Sequence, residues 1–189
     1  MTIKVDKVLD AKGLACPMPI VKTKKAMDEL TSGQVVEVQS TDKGSLADMQ
    51  GWTKNTGHQY LGTLIEGEVL KHFIRKANPN ELKEEMTYPH TVSNEELFQM
   101  VESNAEITIV DVREPAEYRF NRIPHAVSIP FGELENRMNE LNTEQHIHVI
   151  CHTGHRSDMA CQMLVDQGFK NVSNVKEGMS VWTGPTDNN

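Results

Sequence analysis

Hydrophobic and polar positions along residues 3–75 show two different patterns, one typical of strands and one typical of helices. Short runs rich in Val, Ile, Leu and aromatic residues predict β-strands. Four such strands are predicted, at residues 3–9, 35–39, 60–65 and 69–75. Apolar residues at helical spacing predict two helices between them, at about 17–30 and 45–55. The order βαβαββ is typical of a small two-layer sandwich with both helices on one face of the sheet.

Residues 93–175 alternate between helices and short apolar strands. Ser93 and Glu96 form a predicted capping box that opens the first helix. Strands are predicted at residues 107–110, 127–129, 147–150 and 172–175, and further helices at about 115–120, 133–141 and 157–167. Apolar strands that alternate with helices are typical of an α/β domain with a parallel sheet.

The stretch between these two patterns is polar and contains Pro79 and Pro89. Such a composition is typical of a linker, here with one short helical turn. The predicted organisation is a first domain at 1–76, a linker at 77–89, a second domain at 90–184 and a tail at 185–189.

The number of cysteines limits the kinds of cysteine chemistry that we expect. Its 189 residues include three cysteines, Cys16, Cys151 and Cys161. An odd, sparse set disfavours a disulfide framework, and the first residues lack an apolar signal segment. No apolar run approaches the ~20 residues needed to cross a bilayer. We therefore expect a cytoplasmic protein whose thiols either fill the core or do chemistry.

The net charge of −8 is unevenly distributed along the chain. Residues 88–189 contain 15 acids and 7 bases, whereas residues 1–87 contain 12 of each. The acidic excess disfavours direct nucleic-acid binding by the second part. The first 25 residues are locally basic, with six lysines against two aspartates. These lysines are either a docking patch for an acidic partner or an ordinary solvated helix face.

The strongest candidate site runs from Cys151 to Arg156, between a predicted strand and a predicted helix. Open α/β sheets place their sites there, beyond the carboxyl end of a strand. A tight loop directs backbone N–H groups at an anion, and the helix N-terminus adds about half a positive charge. Gly154 permits backbone angles that other residues resist, and Arg156 is a permanent cation. The segment should therefore favour the thiolate of Cys151 and bind an anionic substrate. The expected substrate-binding residues are His152, Thr153, Gly154, His155 and Arg156.

Several motifs of the second domain resemble those of the rhodanese family. They are Asp111–Tyr118 (DVREPAEY), Ile123–Ala126 (IPHA), Ile129-Pro130, Cys151–Ser157 (CHTGHRS) and Gly178–Trp182 (GMSVW). The chain departs from the family pattern at Asn121-Arg122, where Gly-His is common, and at His125, where Gly is common. The resemblance covers nearly all of residues 88–184 and implies a persulfide on Cys151.

Loop length separates sulfur transfer from phosphate chemistry. Four residues lie between Cys151 and Arg156. Tyrosine-phosphatase-like loops place five there, which leaves room for a tetrahedral phosphate. The shorter loop favours a sulfurtransferase. We expect Asp111 and Arg113 to be a fold-stabilising pair rather than catalysts.

Cys16 is the second candidate, at the expected N-cap of a helix with Pro17 at its first position. The helix dipole and nearby lysines should favour its thiolate, although a buried cysteine beside a capped helix is an alternative. The sequence around it resembles the TusA-type (SirA-like) sulfur carriers over roughly residues 3–76. The matching residues are Gly13–Pro19 (GLACPMP), Thr41-Asp42, Asp48-Met49, Trp52 and Gly57-His58, with Lys43 where proline is frequent. The resemblance implies that Cys16 accepts a persulfide and passes it on.

The remaining candidates have plainer interpretations. Cys161 is expected to be a core residue, since it lies one turn before Leu164 in a predicted helix. A metal site at Cys151, His152 and His155 is disfavoured, because three ligands in one tight loop rarely give tetrahedral zinc.

The sequence thus predicts a sulfurtransferase that forms a persulfide on Cys151 and relays sulfur to or from Cys16. The expected donor is thiosulfate or a persulfide, and the expected acceptor is a thiol, cyanide or a protein. No cofactor or membrane is expected, because persulfide exchange needs only sulfur chemistry. Two alternatives stay open: a thiol redox sensor, and a non-catalytic regulatory binding module.

Overall fold

The computed structural model describes residues 2–82 and 85–188. Parts of three predicted segments lie outside the described residues: Met1 of the first domain, Lys83 and Glu84 of the linker, and Asn189 of the tail. The chain divides into two compact units, Met1–Pro79 and Asn80–Asn189. Each unit has its own sheet and its own buried apolar residues.

The first unit is a mixed four-stranded sheet with two helices on one face. Its elements are β1 (Lys7–Asp10), α1 (Met18–Glu29), β2 (Val35–Ser40), α2 (Ser45–Thr56), β3 (Gln59–Glu66) and β4 (Val69–Arg75). The strands lie in the order β1-β2-β4-β3, with β1 parallel to β2 and the other pairs antiparallel. Val36 and Val38 of β2 share one buried cluster with Met27 of α1 and Met49 of α2. The predicted βαβαββ sandwich is confirmed.

Two boundaries in this unit differ from the sequence prediction. β1 begins at Lys7 instead of residue 3, because Lys7 lies opposite Val36, next to the first residue of β2. Asp6, just before the strand, still donates from its backbone N–H to the carbonyl of Val35 at 2.9 Å, where β2 begins. α1 begins at Met18 with Pro17 as its N-cap, so Cys16 lies one residue ahead of the cap.

The second unit is a parallel five-stranded sheet with helices on both faces. Its elements are β5 (Thr91–Val92), α3 (Asn94–Glu102), β6 (Thr108–Asp111), α4 (Pro115–Phe120), β7 (Val127–Ser128), α5 (Leu134–Arg137), β8 (Ile147–Ile150), α6 (His155–Asp166) and β9 (Val172–Val175). The strands lie in the order β5-β9-β8-β6-β7, and every pair is parallel. One apolar cluster joins Val149 to Leu164 of α6, and a second joins Ile150 to Leu97 of α3. The predicted α/β domain with a parallel sheet is confirmed.

The local differences in this unit have simple causes. The predicted helix at 133–141 is α5 flanked by 3-10 turns at Phe131–Glu133 and Met138–Glu140. β5 was not predicted, since two residues are too few to show a period. The predicted capping box of Ser93 and Glu96 is present at the start of α3. His125, which stands where glycine is common, has a φ of 65°, in the left-handed region that favours glycine.

Described residues of the predicted linker that follow Pro79 belong to the second unit and contact other parts of it. After a 3-10 turn at Pro79–Leu82, the backbone N–H groups of Thr87 and Tyr88 donate to the Asp158 carboxylate at 3.2 and 3.0 Å. The buried Tyr88 ring carries a hydroxyl that donates to the carbonyl of Val172 at 2.8 Å. Because of these contacts, only part of residues 77–89 is able to act as a flexible tether. The bounds of the linker stay a prediction. In the described part of the chain, no helix is long and apolar enough to span a bilayer.

Candidate functional site

Cys16 is exposed in the loop between β1 and α1, and the loop between β2 and α2 fixes its backbone. Gly13 N donates to Thr41 Oγ1 at 2.9 Å, and Cys16 N donates to Asp42 Oδ2 at 3.1 Å. The other carboxylate oxygen of Asp42 accepts from Gly44 N at 2.9 Å. Thr41 and Asp42 therefore position the Cys16 loop.

The charges around Cys16 are the opposite of those expected from the sequence. A hydrogen bond to Asp48, partial desolvation and the negative charges of Asp48 and Asp42 together raise the pKa of the Cys16 thiol. Lys12, one of the lysines expected to favour the thiolate, instead pairs with Asp10 at 3.3 Å. This direction is opposite to the prediction that the helix dipole and the lysines favour the Cys16 thiolate, because the nearby acids raise the pKa of the thiol.

A buried polar chain lies behind the Asp42 turn. Ser45 Oγ donates to the carbonyl oxygen of Asp42 at 2.5 Å and lies 2.9 Å from His72 Nε2. Because the single Ser45 hydroxyl proton goes to Asp42, His72 Nε2 donates to Ser45, and Nδ1 accepts from Tyr60 Oη at 2.8 Å. Burial lowers the pKa of His72 to about 4, so the imidazole is neutral at pH 7. Sequence reasoning missed this chain because its members come from three separate elements.

Cys151 directly follows β8, which lies in the middle of the parallel sheet, and its side chain is 1% exposed. The turn that follows is shaped by Gly154, which has a φ of +91°. A Cβ on Gly154 would lie 2.1 Å from the carbonyl oxygen of Lys176, so no larger residue fits without moving backbone. The loop is thus at the carboxyl end of a strand, as the sequence predicts.

Two hydrogen-bond donors lie within reach of the Cys151 sulfur. Gly154 N donates to Sγ at 3.1 Å, and Ser157 Oγ donates to it at 3.3 Å. Both donors are buried, and a hydrogen bond to a charged acceptor is roughly twice as strong as one between neutral groups. The loop therefore stabilises negative charge on the sulfur through hydrogen bonds.

Ser157 is itself held by Asn174 of β9. Ser157 Oγ lies 2.6 Å from Asn174 Oδ1, and Asn174 Nδ2 donates to the carbonyl of Gly154 at 3.1 Å. Ser157 has one hydroxyl proton and three acceptors within reach: Asn174 Oδ1, the Gly154 carbonyl oxygen at 3.0 Å and the sulfur of Cys151. A thiolate is the charged acceptor and competes for that proton more strongly than an amide oxygen. Asn174 was missed from the sequence, because it reaches the loop from a strand 17 residues further along the chain.

The guanidinium of Arg156 contacts two carboxylates in this structure. Its Nη1 and Nη2 donate to the two oxygens of Glu117 at 2.8 and 3.0 Å, and its Nε lies 3.4 Å from Glu81 Oε1. Burial opposes the charge of Arg156, but Glu117 outweighs burial and the pKa of the guanidinium is raised. The contacts found for Arg156 stabilise the fold around the loop. Its direct role in substrate binding stays a prediction.

The other predicted loop residues line the same segment. His152, Thr153 and His155 are half-buried, and Thr153 Oγ1 lies 3.3 Å from His155 Nδ1. The carbonyls of Cys151 and His152 accept from the backbone N–H groups of Met179 and Ser180 at 2.8 and 2.9 Å. The Gly178–Trp182 motif thus supports the loop. The substrate contacts of the loop residues stay predictions.

Two interpretations of structural residues agree with the packing. Arg113 and Asp111 are buried and joined by Nε–Oδ1 and Nη2–Oδ2 hydrogen bonds of 2.9 and 2.6 Å. Cys161 is fully buried, and burial, with the charges of Asp158 and Cys151, raises the pKa of its thiol. Within residues 2–82 and 85–188, no group of three or more His, Cys, Asp or Glu side chains is placed to hold a metal ion.

Comparison with known proteins assigns both units. Residues 7–76 match the family model described as sulfurtransferase TusA, and residues 93–185 match that of the rhodanese-like domain. The class defined by fold and site is therefore a sulfur-transfer protein with two such domains in one chain. The "Putative sulfur carrier protein YrkF" of Bacillus subtilis (strain 168) is 52% identical over 185 residues, covering 98% of this chain and 100% of that protein. This chain belongs to the same family, in which a TusA-type domain is joined to a rhodanese-like domain.

Shorter relatives match parts of the chain. The "Putative sulfur carrier protein YrkI" of the same organism is 61% identical over 74 residues, covering 39% of this chain and 99% of that protein. The "Putative sulfurtransferase YtwF", also from Bacillus subtilis, is 38% identical over 95 residues, covering 50% of this chain and 91% of that protein. Each of these two relatives is similar to only part of this chain.

Proposed function

We propose that the protein takes sulfane sulfur onto Cys151 as a persulfide, relays it to Cys16 and delivers it to an acceptor. One observation carries this proposal. The sulfur of Cys151 accepts hydrogen bonds from Gly154 N and Ser157 Oγ, at 3.1 and 3.3 Å, at the carboxyl end of β8. A sulfur that must attack as a thiolate and later leave as one needs donors in this position.

Loading begins with attack of the Cys151 thiolate on the sulfane sulfur of the donor. A new bond forms between Cys151 Sγ and that sulfur, while the sulfur–sulfur bond of the donor breaks. The departing group takes the electron pair: sulfite leaves if the donor is thiosulfate, and a thiolate leaves if the donor is a persulfide. No oxidant or cofactor enters the step.

The relay transfers the outer sulfur from Cys151 to Cys16. The Cys16 thiol loses its proton to solvent or to the neighbouring Asp48 carboxylate, and its sulfur attacks the outer sulfur of the Cys151 persulfide. The bond to Cys151 Sγ breaks, and Cys151 departs as a thiolate that regains its hydrogen bonds. Joining both domains in one chain raises the effective concentration of one cysteine at the other to the order of mM.

The electrostatics of the two cysteines support transfer toward Cys16. The better leaving group in an exchange is the sulfur whose thiolate is more stable. Gly154 and Ser157 stabilise the thiolate of Cys151, whereas Asp48 and Asp42 raise the pKa of the Cys16 thiol. Cys16 is therefore the stronger sulfur acceptor of the two. Its exposure also supports delivery to a protein acceptor.

The experiment combines turnover with intact-protein mass spectrometry in single-cysteine variants. Cys151→Ala is expected to abolish turnover from thiosulfate. Cys16→Ala is expected to keep transfer to cyanide and to lose delivery to a protein acceptor. Cys161→Ala is the matched control and is expected to change neither. If neither Cys16 nor Cys151 gains sulfur from any donor, the proposal fails and a redox or binding role replaces it.

A further inference from the structure

His72 is a buried imidazole on the helix-facing side of β4. It alternates along the strand with Leu70 and Ile74, and Ile74 belongs to the apolar cluster between the sheet and the two helices. The His72 side chain is fully buried, and both of its ring nitrogens have hydrogen-bond partners. An apolar residue would be buried here at lower cost, because the burial of a polar ring must be offset by such bonds. The partners of His72 therefore indicate what the imidazole does.

The hydrogen bonds of His72 run in one direction, toward Asp42. Ser45 Oγ and the carbonyl oxygen of Asp42 are 2.5 Å apart, so the hydroxyl proton lies between these two oxygens and Ser45 accepts from His72 Nε2 at 2.9 Å. Burial lowers the pKa of His72 to about 4, so Nδ1 carries no proton at pH 7. The hydroxyls of Tyr60 and Thr63 lie 2.8 and 3.2 Å from Nδ1 and are hydrogen-bonded to each other. The chain of bonds therefore starts at the hydroxyls of β3, passes through His72 and ends at Asp42.

Ser45 links this chain to the two acids that contact Cys16. One carboxylate oxygen of Asp42 accepts from Cys16 N at 3.1 Å. Ser45 is the first residue of α2, and Asp48, in the first turn of the same helix, is hydrogen-bonded to the thiol of Cys16. Asp42 and Asp48 thus hold the backbone and the thiol of Cys16, and His72 is bonded to the serine that lies between these acids in the sequence.

We propose that His72 is a positioning residue of Cys16, which acts through Ser45 to hold Asp42 and Asp48 against the Cys16 loop. Sulfur exchange requires the attacking sulfur to approach in line with the bond that breaks, and a loop that moves meets this condition less often. The inference rests on the proposed function, because it concerns Cys16 as the sulfur acceptor of the relay.

Four substitutions in the full chain separate the hydrogen bond of His72 from its volume. His72→Gln keeps an N–H donor close to the position of Nε2, whereas His72→Leu fills a similar volume without a donor. Ser45→Ala removes the hydroxyl through which His72 acts. Thr53→Val is the matched control, because Thr53 is also a buried residue of α2 but donates to the carbonyl of Met49, at 2.9 Å.

The first measurement is the relay, followed by peptide mass spectrometry after addition of limiting thiosulfate. His72→Leu and Ser45→Ala are each expected to slow the gain of sulfur on Cys16 about tenfold, because small displacements of a reacting group have effects of this order or larger. His72→Gln is expected to stay within about threefold of the parent, since it restores the donor to Ser45. Loading of Cys151 is expected to be unchanged in all four variants.

A double variant tests whether His72 acts through Ser45. If it does, His72→Leu combined with Ser45→Ala is expected to be as slow as the slower single variant, because both changes break the same path. Two effects that multiply in the double variant would overturn this part of the inference.

The second measurement is the pH profile for alkylation of Cys16, which does not depend on the relay. Asp48 and Asp42 raise the pKa of the Cys16 thiol, so loosening their contacts is expected to move the profiles of His72→Leu and Ser45→Ala to lower pH. His72→Gln and Thr53→Val are expected to keep the profile of the parent. A general loss of stability would instead change Thr53→Val in the same way as His72→Leu.

A relay rate or an alkylation profile like that of the parent in both His72→Leu and Ser45→Ala would overturn the inference, as would equal changes in Thr53→Val. If His72→Leu does not fold, Ser45→Ala and His72→Gln decide the case by the same two measurements. If sulfur never reaches Cys16 in the parent, the proposed relay fails, and the alkylation profiles still decide whether His72 positions Cys16.

Discussion

Replacing Ser157 with alanine removes one of the two hydrogen bonds to the sulfur of Cys151. The Ser157 hydroxyl lies 3.3 Å from Sγ and is fully buried. Gly154 N, at 3.1 Å, remains as the second donor. The loss should appear in both loading and relay, because Cys151 carries negative charge as it attacks and as it leaves.

The size of the effect follows from the strength of a hydrogen bond to a charged group. Such a bond contributes about 1.5–3 kcal/mol. Each 1.36 kcal/mol corresponds to tenfold in rate, so Ser157→Ala is expected to slow transfer about 10- to 100-fold. The variant also leaves Asn174 Oδ1 without its 2.6 Å partner, which should lower the free energy of unfolding by about 1–3 kcal/mol.

The assay is single-turnover loading of Cys151 well below the melting temperature, beside denaturant unfolding of the same samples. Ser180→Ala is the matched control, because Ser180 is exposed and reaches the loop through its backbone N–H. The control is expected to keep both rate and stability. A Ser157→Ala protein that loads within twofold of the parent would refute the reasoning that this hydroxyl stabilises the sulfur.

Three further predictions concern the surroundings of the two cysteines. Asp48→Asn removes a carboxylate that raises the pKa of Cys16, so the pH profile for alkylation of Cys16 should move to lower pH and alkylation at pH 7 should become faster. The control is Asp28→Asn, on the exposed side of α1, which should leave the profile unchanged. Arg156→Lys cannot copy the two-oxygen contact with Glu117, so it should lower the free energy of unfolding by about 1–3 kcal/mol along with transfer, and an unchanged unfolding curve would contradict this. A glutamate-specific protease should cut first after Glu85, because this glutamate is exposed and lies between the two ranges that the family models match. Earlier cuts within residues 7–76 or 93–185, with no stable fragments, would count against separable domains.

The residues that sequence reasoning found are those whose chemistry is local. Gly154 and Arg156 follow Cys151 within one loop, so a strand, a tight turn and a helix in succession were enough to locate them. Both domain folds also follow from periodicity, since strand and helix patterns do not depend on distant residues.

The side-chain pairings that sequence reasoning missed join residues of different elements. Asp42 contacts Cys16 across 26 residues and Glu117 contacts Arg156 across 39, so neither pairing has a local signal. The error in the charge state of Cys16 has the same origin. Lysines near Cys16 in sequence were counted, whereas the acids of α2 and its preceding loop are nearer in space.

The most direct test of the relay is a rapid-quench time course of the parent protein with limiting sulfur donor, mapped by peptide mass spectrometry. Sulfur is expected on Cys151 first and on Cys16 later, with the Cys16 signal rising as the Cys151 signal falls. In Cys151→Ala, Cys16 is expected to stay unmodified with thiosulfate. Loading of Cys16 from thiosulfate at an undiminished rate in Cys151→Ala would contradict the relay and show that the two domains act independently.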